Sequence, residues 1–220
     1  INGKTIKKRK DLIGKNNVVV LSPEDQSITK GGPKERRTFF DRLFSVISAD
    51  YLNTLQEYTQ VLKQRNALLA SLNRKQTIEE NFSLWEEKLS TVALKLWSVR
   101  KKLLFDYKKE LIETAKKYEK GLSLDIVYAK TIENKEEYQN KLKRSREKDI
   151  LLGSTSMGPH KDKIETFWEN KDIRDHGSQG EHKIALVLLK LTEMNLINKK
   201  TGVHPTLLLD DVFSKLDLSR

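Results

Sequence analysis

Two short stretches of the sequence carry residues that can do chemistry on a phosphate. Residues 206–211 read TLLLDD, an apolar run that ends in two adjacent carboxylates, Asp210 and Asp211. If the run is a central strand buried on both faces, it delivers these acids to the carboxyl edge of a sheet, where ligands of open α/β folds bind. Mg²⁺ prefers such oxygen ligands together with nucleotide phosphates. We therefore expect Asp210 next to Mg²⁺ and Asp211 orienting or deprotonating an attacking water. The alternative is a strand that ends in an ordinary acidic turn.

The second stretch is HGSQGEH at residues 176–182, which opens directly into an apolar helix. A helix start presents unpaired N–H groups and the positive end of the helix dipole, so it can hold an anion. Gly177 and Gly180 allow a close approach, and Ser178 can cap the helix or donate its hydroxyl to an anion. The alternative is an ordinary Ser cap with flexible glycines. Glu181 brings negative charge to the site, which fits a capping-box acid or an acceptor at an interface.

The elements around these motifs follow from the apolar pattern. VVVL at 18–21 is typical of a buried strand, and the SPED sequence after it combines a Ser cap, a Pro and a capping-box acid, which predict a helix start. LSLDIVYA at 122–129 and IETFWEN with KDI at 164–173 are predicted strands, and the helix after the second motif is predicted to run to about residue 198. Strands and helices in this order predict an α/β fold class.

Two heptad-spaced seams lie between the strand-bearing parts, at residues 55–72 and 82–103. They are separated by the polar stretch 73–81, and neither seam contains Pro or Gly. The simplest structure is an antiparallel helical hairpin with the polar stretch at its tip. We therefore predict three segments, 1–49, 50–121 and 122–220, of which the second is an insertion into the α/β domain.

Composition limits the class of partner. The chain has 220 residues, 33% of them charged, and a formal net charge of +11, which favours nucleic acid first and an acidic membrane surface second. The alternative is a protein that uses Lys only for solubility. The absence of Cys excludes disulfides and thiolate metal sites. No apolar run approaches the ~20 residues that span a bilayer, so we expect no membrane segment and a cytoplasmic location.

These motifs, taken together, resemble those of the RecF family of bacterial DNA replication and repair proteins. Ser-Gln-Gly-Glu before an apolar helix, the acidic strand end, and SKLD at 214–217 are similar to the signature motif, Walker B and D-loop of ABC-type ATPases. The blocks SPEDQSITKGGPKERRTFFDR, TSMGPHKD and LLLDDVFSKLD are similar to blocks of this family and are spread over most of the chain. The resemblance implies a partial ABC-ATPase-like head of the P-loop NTPase fold with an inserted hairpin arm lobe.

The resemblance also assigns the segments and their roles. Residues 1–49 would be part of lobe I and the entry to lobe II, 50–121 the hairpin arm of lobe II, and 122–220 the C-terminal part of the head. In such proteins two protomers hold ATP and Mg²⁺ between the Walker A of one and the signature motif of the other. Asp210 would then lie on the Mg²⁺ side and Asp211 would be the catalytic carboxylate. The signature residues in contact with the second protomer's ATP would be Ser178, Gln179, Gly180 and Glu181, and Ser214 and Asp217 would cross the dimer interface.

Partners are implied in the same way: DNA gaps and single-strand/double-strand junctions, an ATP-dependent homodimer, and the RecO and RecR proteins. A basic surface would contact DNA phosphates without reading sequence. Its expected members are Lys7, Lys8, Arg9, Lys10, Arg36 and Arg37.

The sequence departs from the family pattern at two points. The signature usually reads more like Ser-Gln-Gly-Gln-Gln-Arg, whereas here it is Ser-Gln-Gly-Glu-His-Lys. No G-x-x-x-x-G-K-[ST] occurs, because Gly3-Lys4 and Gly14-Lys15 lack the upstream glycine. We expect Walker A in a segment upstream, weak ATP hydrolysis in the full-length protein, and little or no ATP binding by this chain alone.

Two other functions remain open from the residues. One is a non-hydrolysing coiled-coil scaffold related to heads of the chromosome-maintenance (SMC) type, whose hairpin binds a protein. The other is a nuclease that uses Asp210 and Asp211 for metal, for which Asp162 and His160 are the further candidate ligands.

Overall fold

The computed structural model describes residues 17–73, 82–129 and 132–210. It divides the chain into two compact units, the first made of Ile1–Ser48, Leu104–Val127 and Ile164–Arg220, the second of Ala49–Leu103 and Tyr128–Lys163. The division after Ser48 lies one residue before the predicted boundary after residue 49, and the three-segment division stays a prediction. The predicted hairpin tip lies outside the described residues apart from the main chain of residue 73.

The described part of the chain contains both helices and strands. The helices are Ser27–Lys30 (α1), Pro33–Ile47 (α2), Ala49–Asn73 (α3), Phe82–Tyr118 (α4), Lys135–Arg144 (α5), Arg146–Leu152 (α6), Ile173–His176 (α7) and Gln179–Thr201 (α8). The strands are Val18–Leu21 (β1), Leu124–Tyr128 (β2), Ile164–Trp168 (β3), Lys171–Asp172 (β4) and Thr206–Leu209 (β5). Short 3₁₀ turns cover Pro23–Gln26 and Pro159–Lys161.

In the first unit β1 and β5 form a parallel pair, with Val18 opposite Thr206 and Leu21 opposite Leu209. A parallel pair needs a crossover, and the crossover here contains every other described element. The helix α8 packs against β1, where Val19 and Leu21 are buried. The strands β2, β3 and β4 form a separate three-stranded sheet in that order.

The prediction that residues 206–211 form a strand buried on both faces is wrong for the described residues. β5 has β1 as its sole neighbour there, and Leu208 and Leu209 are 51% and 50% exposed. The strand itself is confirmed at Thr206–Leu209. A continuous apolar run specifies a strand that can be covered on both faces, but it does not show what covers it.

In the second unit α3 and α4 run antiparallel, as the two seams predict. Arg65 of α3 donates to Glu86 of α4, and Arg100 of α4 donates to the Tyr51 hydroxyl of α3. The earlier residue of α3 thus contacts the later residue of α4, as in an antiparallel pair. Arg65 also donates to Asp149 in α6 at 2.8 Å. This contact shows that the charged segment after β2 belongs to the same unit as the hairpin helices.

Candidate functional site

The start of α8 is built by a reciprocal capping box. Ser178 is the N-cap with extended backbone angles, φ −69° and ψ 164°. Its hydroxyl accepts from the Glu181 N–H at 3.3 Å, and the Glu181 carboxylate accepts from the Ser178 N–H at 2.6 Å. This hydrogen bond from the Ser178 N–H lowers the pKa of Glu181. Of the two roles left open for Glu181, the structure shows the capping-box acid.

The two glycines beside the cap have different roles. A Cβ on Gly177 would come within 2.5 Å of the Ile173 carbonyl oxygen, so this glycine lets α7 pack closely against the start of α8. A Cβ on Gly180 would meet no atom within 4 Å. Residues 178–180 are all exposed. The tip of α8 is thus open at Gly180, and the surrounding described chain gives no steric reason for a glycine there.

A lysine from α1 reaches the same tip. The Lys30 ammonium donates to Gln179 Oε1 at 2.7 Å and to Gln26 Oε1 at 2.9 Å. Lys30 and Gln179 are 149 residues apart, so no spacing in the sequence indicates this contact. Sequence reasoning missed Lys30 for that reason.

His182, two residues after Gly180, faces inward. It is 5% exposed, and Nδ1 has no hydrogen-bond partner among the described residues. Burial lowers the pKa of His182, and the nearby charge of Lys30 lowers it further. The imidazole is therefore neutral at pH 7.

Asp210 lies directly after β5, at the carboxyl end of the parallel pair. Its N–H donates to the Leu21 carbonyl at 3.0 Å, which continues the β1–β5 ladder by one bond, and the residue is exposed. This is the edge at which the sequence predicted the acid. Asp211, Ser214 and Asp217 lie outside the described residues. Within the described ranges no cluster of three or more His, Asp or Glu side chains could hold a metal ion.

The tip of α8 and Asp210 point to the same edge of the first unit. α8 ends at Thr201 and β5 begins at Thr206, so the helix start faces the strands' carboxyl ends. Contacts agree, since Lys30 in α1, which follows β1, donates to Gln179 at the start of α8. Further along α8, the Lys190 ammonium lies 3.1 Å from Asp25. Lys190 is 1% exposed and also lies 3.5 Å from Glu193 Oε2. Burial raises the pKa of Glu193, and Lys190 opposes that rise.

The predicted DNA-contacting residues fall into different surroundings. Arg36 is 3% exposed and donates to the main-chain carbonyls of Gly31 at 2.8 Å and Ile164. Burial lowers the pKa of Arg36. This position does not agree with a phosphate contact, because the guanidinium joins the loop before α2 to the start of β3 inside the unit. Arg37 is half-buried, and the four basic residues at 7–10 lie outside the described residues.

The further nuclease candidates belong to the second unit, where their polar atoms are engaged. The Asp162 carboxylate accepts from Arg100 at 2.7 Å, from the Trp97 indole at 3.0 Å and from the Tyr128 hydroxyl. Burial raises the pKa of Asp162, and Arg100 opposes that rise.

His160 Nε2 contacts the Thr155 carbonyl, and Nδ1 contacts the Tyr58 hydroxyl. Both side chains hold the TSMGPHKD loop in place and are not arranged as metal ligands.

In the described ranges, none of the helices combines the length and the apolar character needed to cross a bilayer.

No protein-family model matches the chain. The chain is similar to curated proteins named DNA replication and repair protein RecF. It is 39% identical over 221 residues to that of Lachnoclostridium phytofermentans, covering 100% of this chain and 61% of the relative. It is 34% identical over 220 residues to that of Leptospira interrogans, covering 100% and 60%.

Two solved structures are similar over nearly the whole chain. One is described as the recombination mediator protein RecF-ATPrS in the RecFOR pathway, with a TM-score of 0.89 and 32% identity, covering 98% of this chain and 60% of that one. The other is the corresponding RecF-ATP structure, with a TM-score of 0.88 and 32% identity. The chain therefore spans about three fifths of the length of its relatives.

Proposed function

Because the chain belongs to the RecF family and has a partial ABC-ATPase-like P-loop fold, we propose that it closes on the ATP of a second protomer and couples that ATP to DNA repair. The observation that carries this proposal is the tip of α8. It is exposed at Ser178 to Gly180, its Gly180 borders open space, and it lies at the strand edge that ends in Asp210. Capped helix starts with free N–H groups bind phosphate.

The proposed site combines the start of α8 with the end of β5. The tip of α8, with Ser178, Gln179 and Gly180, would contact the γ-phosphate of a nucleotide bound by the second protomer. Asp210 would hold Mg²⁺ through water on this chain's own nucleotide, since a single carboxylate with waters and phosphates suits that ion. Asp211 would orient the attacking water, and Ser214 and Asp217 would line the interface between protomers. Glu181 contributes by fixing the cap.

The proposed use of ATP is to clamp DNA. The net charge of +11 favours a polyanion, and the solved relatives are described as members of the RecFOR pathway. We therefore propose DNA gaps and junctions as the target, with RecO and RecR as partners. Residues 7–10 and Arg37 remain the proposed DNA contacts, and Arg36 is left out because it is buried. Binding through phosphates would weaken steeply with salt.

Asp211→Asn in the full-length protein tests the proposal. We expect the variant to dimerise with ATP like the wild type and to lose ATP turnover by at least a hundredfold, because the amide cannot accept a proton from water. Sedimentation velocity measures the dimer and phosphate release measures turnover. Glu169→Gln, an exposed change in the loop after β3, is the matched control and should leave both unchanged.

The same experiment has two contrary outcomes. A wild-type protein that dimerises with ATP but never releases phosphate would favour a non-hydrolysing scaffold. A wild-type protein that stays monomeric at saturating ATP would overturn the proposed sandwich altogether.

A further inference from the structure

Lys30 differs from the other well-placed lysines of the first unit in the kind of group that holds it. Lys190 lies 3.1 Å from Asp25 and Lys199 lies 2.5 Å from Glu110. Lys30 contacts two neutral amide oxygens instead, at 2.7 and 2.9 Å. Among the described residues no carboxylate forms an ion pair with it. Its positive charge is therefore placed by hydrogen bonds but left uncompensated.

That charge lies where positive potential already accumulates. Gln179, which Lys30 contacts, is the first residue of α8, and the dipole of a helix of this length adds positive potential at its start. Lys30 also contributes to the lowered pKa of His182, whose buried Nδ1 lacks a partner in the described chain. A cation, a helix start and a buried imidazole held neutral make a corner that an anion would stabilise.

The only carboxylate of that turn does not fill this role. Glu181 accepts from the Ser178 N–H at 2.6 Å and caps the helix from its own side. Among the described residues it forms no ion pair with Lys30, whose ammonium donates to the two glutamine amides instead. The ammonium on its flexible stem can leave a neutral amide for a phosphate at little cost, because a phosphate oxygen carries a negative charge that the amide oxygen lacks and so attracts the ammonium more strongly.

We propose that Lys30 is a further nucleotide-binding residue, which moves from the Gln179 amide onto the γ-phosphate of the ATP held by the second protomer. The inference rests on the proposed function and adds to it a cation supplied from outside the signature motif. In the free protein the Gln26 and Gln179 amides hold the ammonium beside the tip. In the dimer the phosphate oxygens take the place of Gln179 Oε1.

The test uses the full-length protein and ATP. Lys30→Met removes the charge and keeps the length of the stem, and we expect the dissociation constant of the ATP-dependent dimer to rise about tenfold or more. Lys30→Arg should restore most of the affinity. Lys34→Met, which changes an exposed lysine at the start of α2, should have no effect. The difference between wild type and Lys30→Met should shrink as salt is added, because screening weakens the phosphate contact.

Two further measurements separate binding from folding. Binding of a fluorescent ATP analogue to dilute monomer should be equal in wild type and Lys30→Met, because Lys30 acts on the other protomer's nucleotide. The melting temperature without nucleotide should also be equal, since the lysine is half-buried and pairs with neutral groups. Loss of dimer in step with a lower melting temperature would show a structural role and overturn the inference.

The outcomes also distinguish this inference from the proposed function. If ATP-dependent dimerisation is lost in Gly180→Leu but unchanged in Lys30→Met, the proposed function stands and the role of Lys30 falls. If the wild type does not dimerise with ATP, both fall.

Discussion

Substitutions at Gly180 test the folding of α8 and its proposed contact with nucleotide separately. It lies in the first turn of α8, and a Cβ there meets no atom within 4 Å. Glycine in a helix costs about 0.5–1 kcal/mol relative to alanine, because its unfolded backbone has more freedom to lose. We therefore expect Gly180→Ala to stabilise the fold by about that amount. For a chain of this size the melting temperature should rise by about 1–4 °C.

A larger side chain at the same position tests the contact itself. Gly180→Leu should fold with a melting temperature at least equal to that of the wild type, because the space around the Cβ is open. It should nevertheless raise the dissociation constant of the ATP-dependent dimer by at least tenfold, because the side chain fills the space proposed for the γ-phosphate. Circular dichroism melts without nucleotide and sedimentation velocity with ATP measure the two effects separately.

Gly202, at the other end of α8, is the matched control. It has φ +70° and also borders open space, so Gly202→Ala should lower stability by about 1–2 kcal/mol through backbone strain alone. Its dimerisation should be unchanged. A lower melting temperature for Gly180→Ala would show that the tip is packed. Normal dimerisation of Gly180→Leu would refute the contact with nucleotide.

Three further predictions concern stability. Arg65→Met should destabilise the second unit by about 3–5 kcal/mol, because it leaves the buried carboxylates of Glu86 and Asp149 without this guanidinium. Urea unfolding should show the loss, with the exposed Lys63→Met as control. An unchanged unfolding midpoint would contradict the prediction. His182 should titrate below pH 6.5 by NMR, because burial lowers its pKa. The unfolded chain then takes up the proton first, so stability should fall as the pH drops below about 6.5, and His182→Gln should remove that part of the pH dependence. A midpoint at or above 6.5 would contradict burial. Gly158→Ala should cost about 1–3 kcal/mol more than Gly153→Ala, because φ is +137° and a Cβ would lie 2.5 Å from a Tyr hydroxyl, against 3.9 Å at residue 153; equal thermal melts would argue against that strain.

Local patterns predicted the elements of the chain well. The capping box after β1 is confirmed, with Pro23 in the first turn. The helix after HGS is confirmed from Gln179, and the two heptad seams fall in α3 and α4. The resemblance to the RecF family is confirmed by relatives of 34–39% identity over the whole chain. The capping box, the helix start and the seams each depend on residues within a few turns of one another, which is what spacing in a sequence records.

Long-range contacts account for what the sequence did not predict. Arg36 looks like a surface cation in a basic segment, yet its guanidinium bonds a carbonyl 128 residues away. The GPHKD block looks like part of a metal site, because it combines His160 and Asp162. Its polar atoms are instead used to attach a loop to α3 and α4. Neither role is visible in a residue's type or its neighbours, since both are set by where another part of the chain passes.

The buried charges of α8 fix the geometry on which the proposed site depends. The Asp210 N–H bonds the Leu21 carbonyl, and the next residue, Ser22, donates its N–H to Asp25 at 3.0 Å. Asp25 in turn lies 3.1 Å from Lys190. A continuous path of polar contacts thus connects the acid after β5 to the body of the helix whose start is the proposed phosphate contact.

An apolar core could stabilise α8 equally well, because replacing a buried ion pair by packed hydrophobic residues is often neutral or stabilising. Hydrophobic packing has no direction, however, and permits a helix to rotate or slide at small cost, whereas an ion pair between Asp25 and Lys190 has one position of closest approach. We infer that this pair holds α8 in register with the strand edge. A site made of a helix tip and a strand end needs that register, because each end must meet its own nucleotide at hydrogen-bond distance.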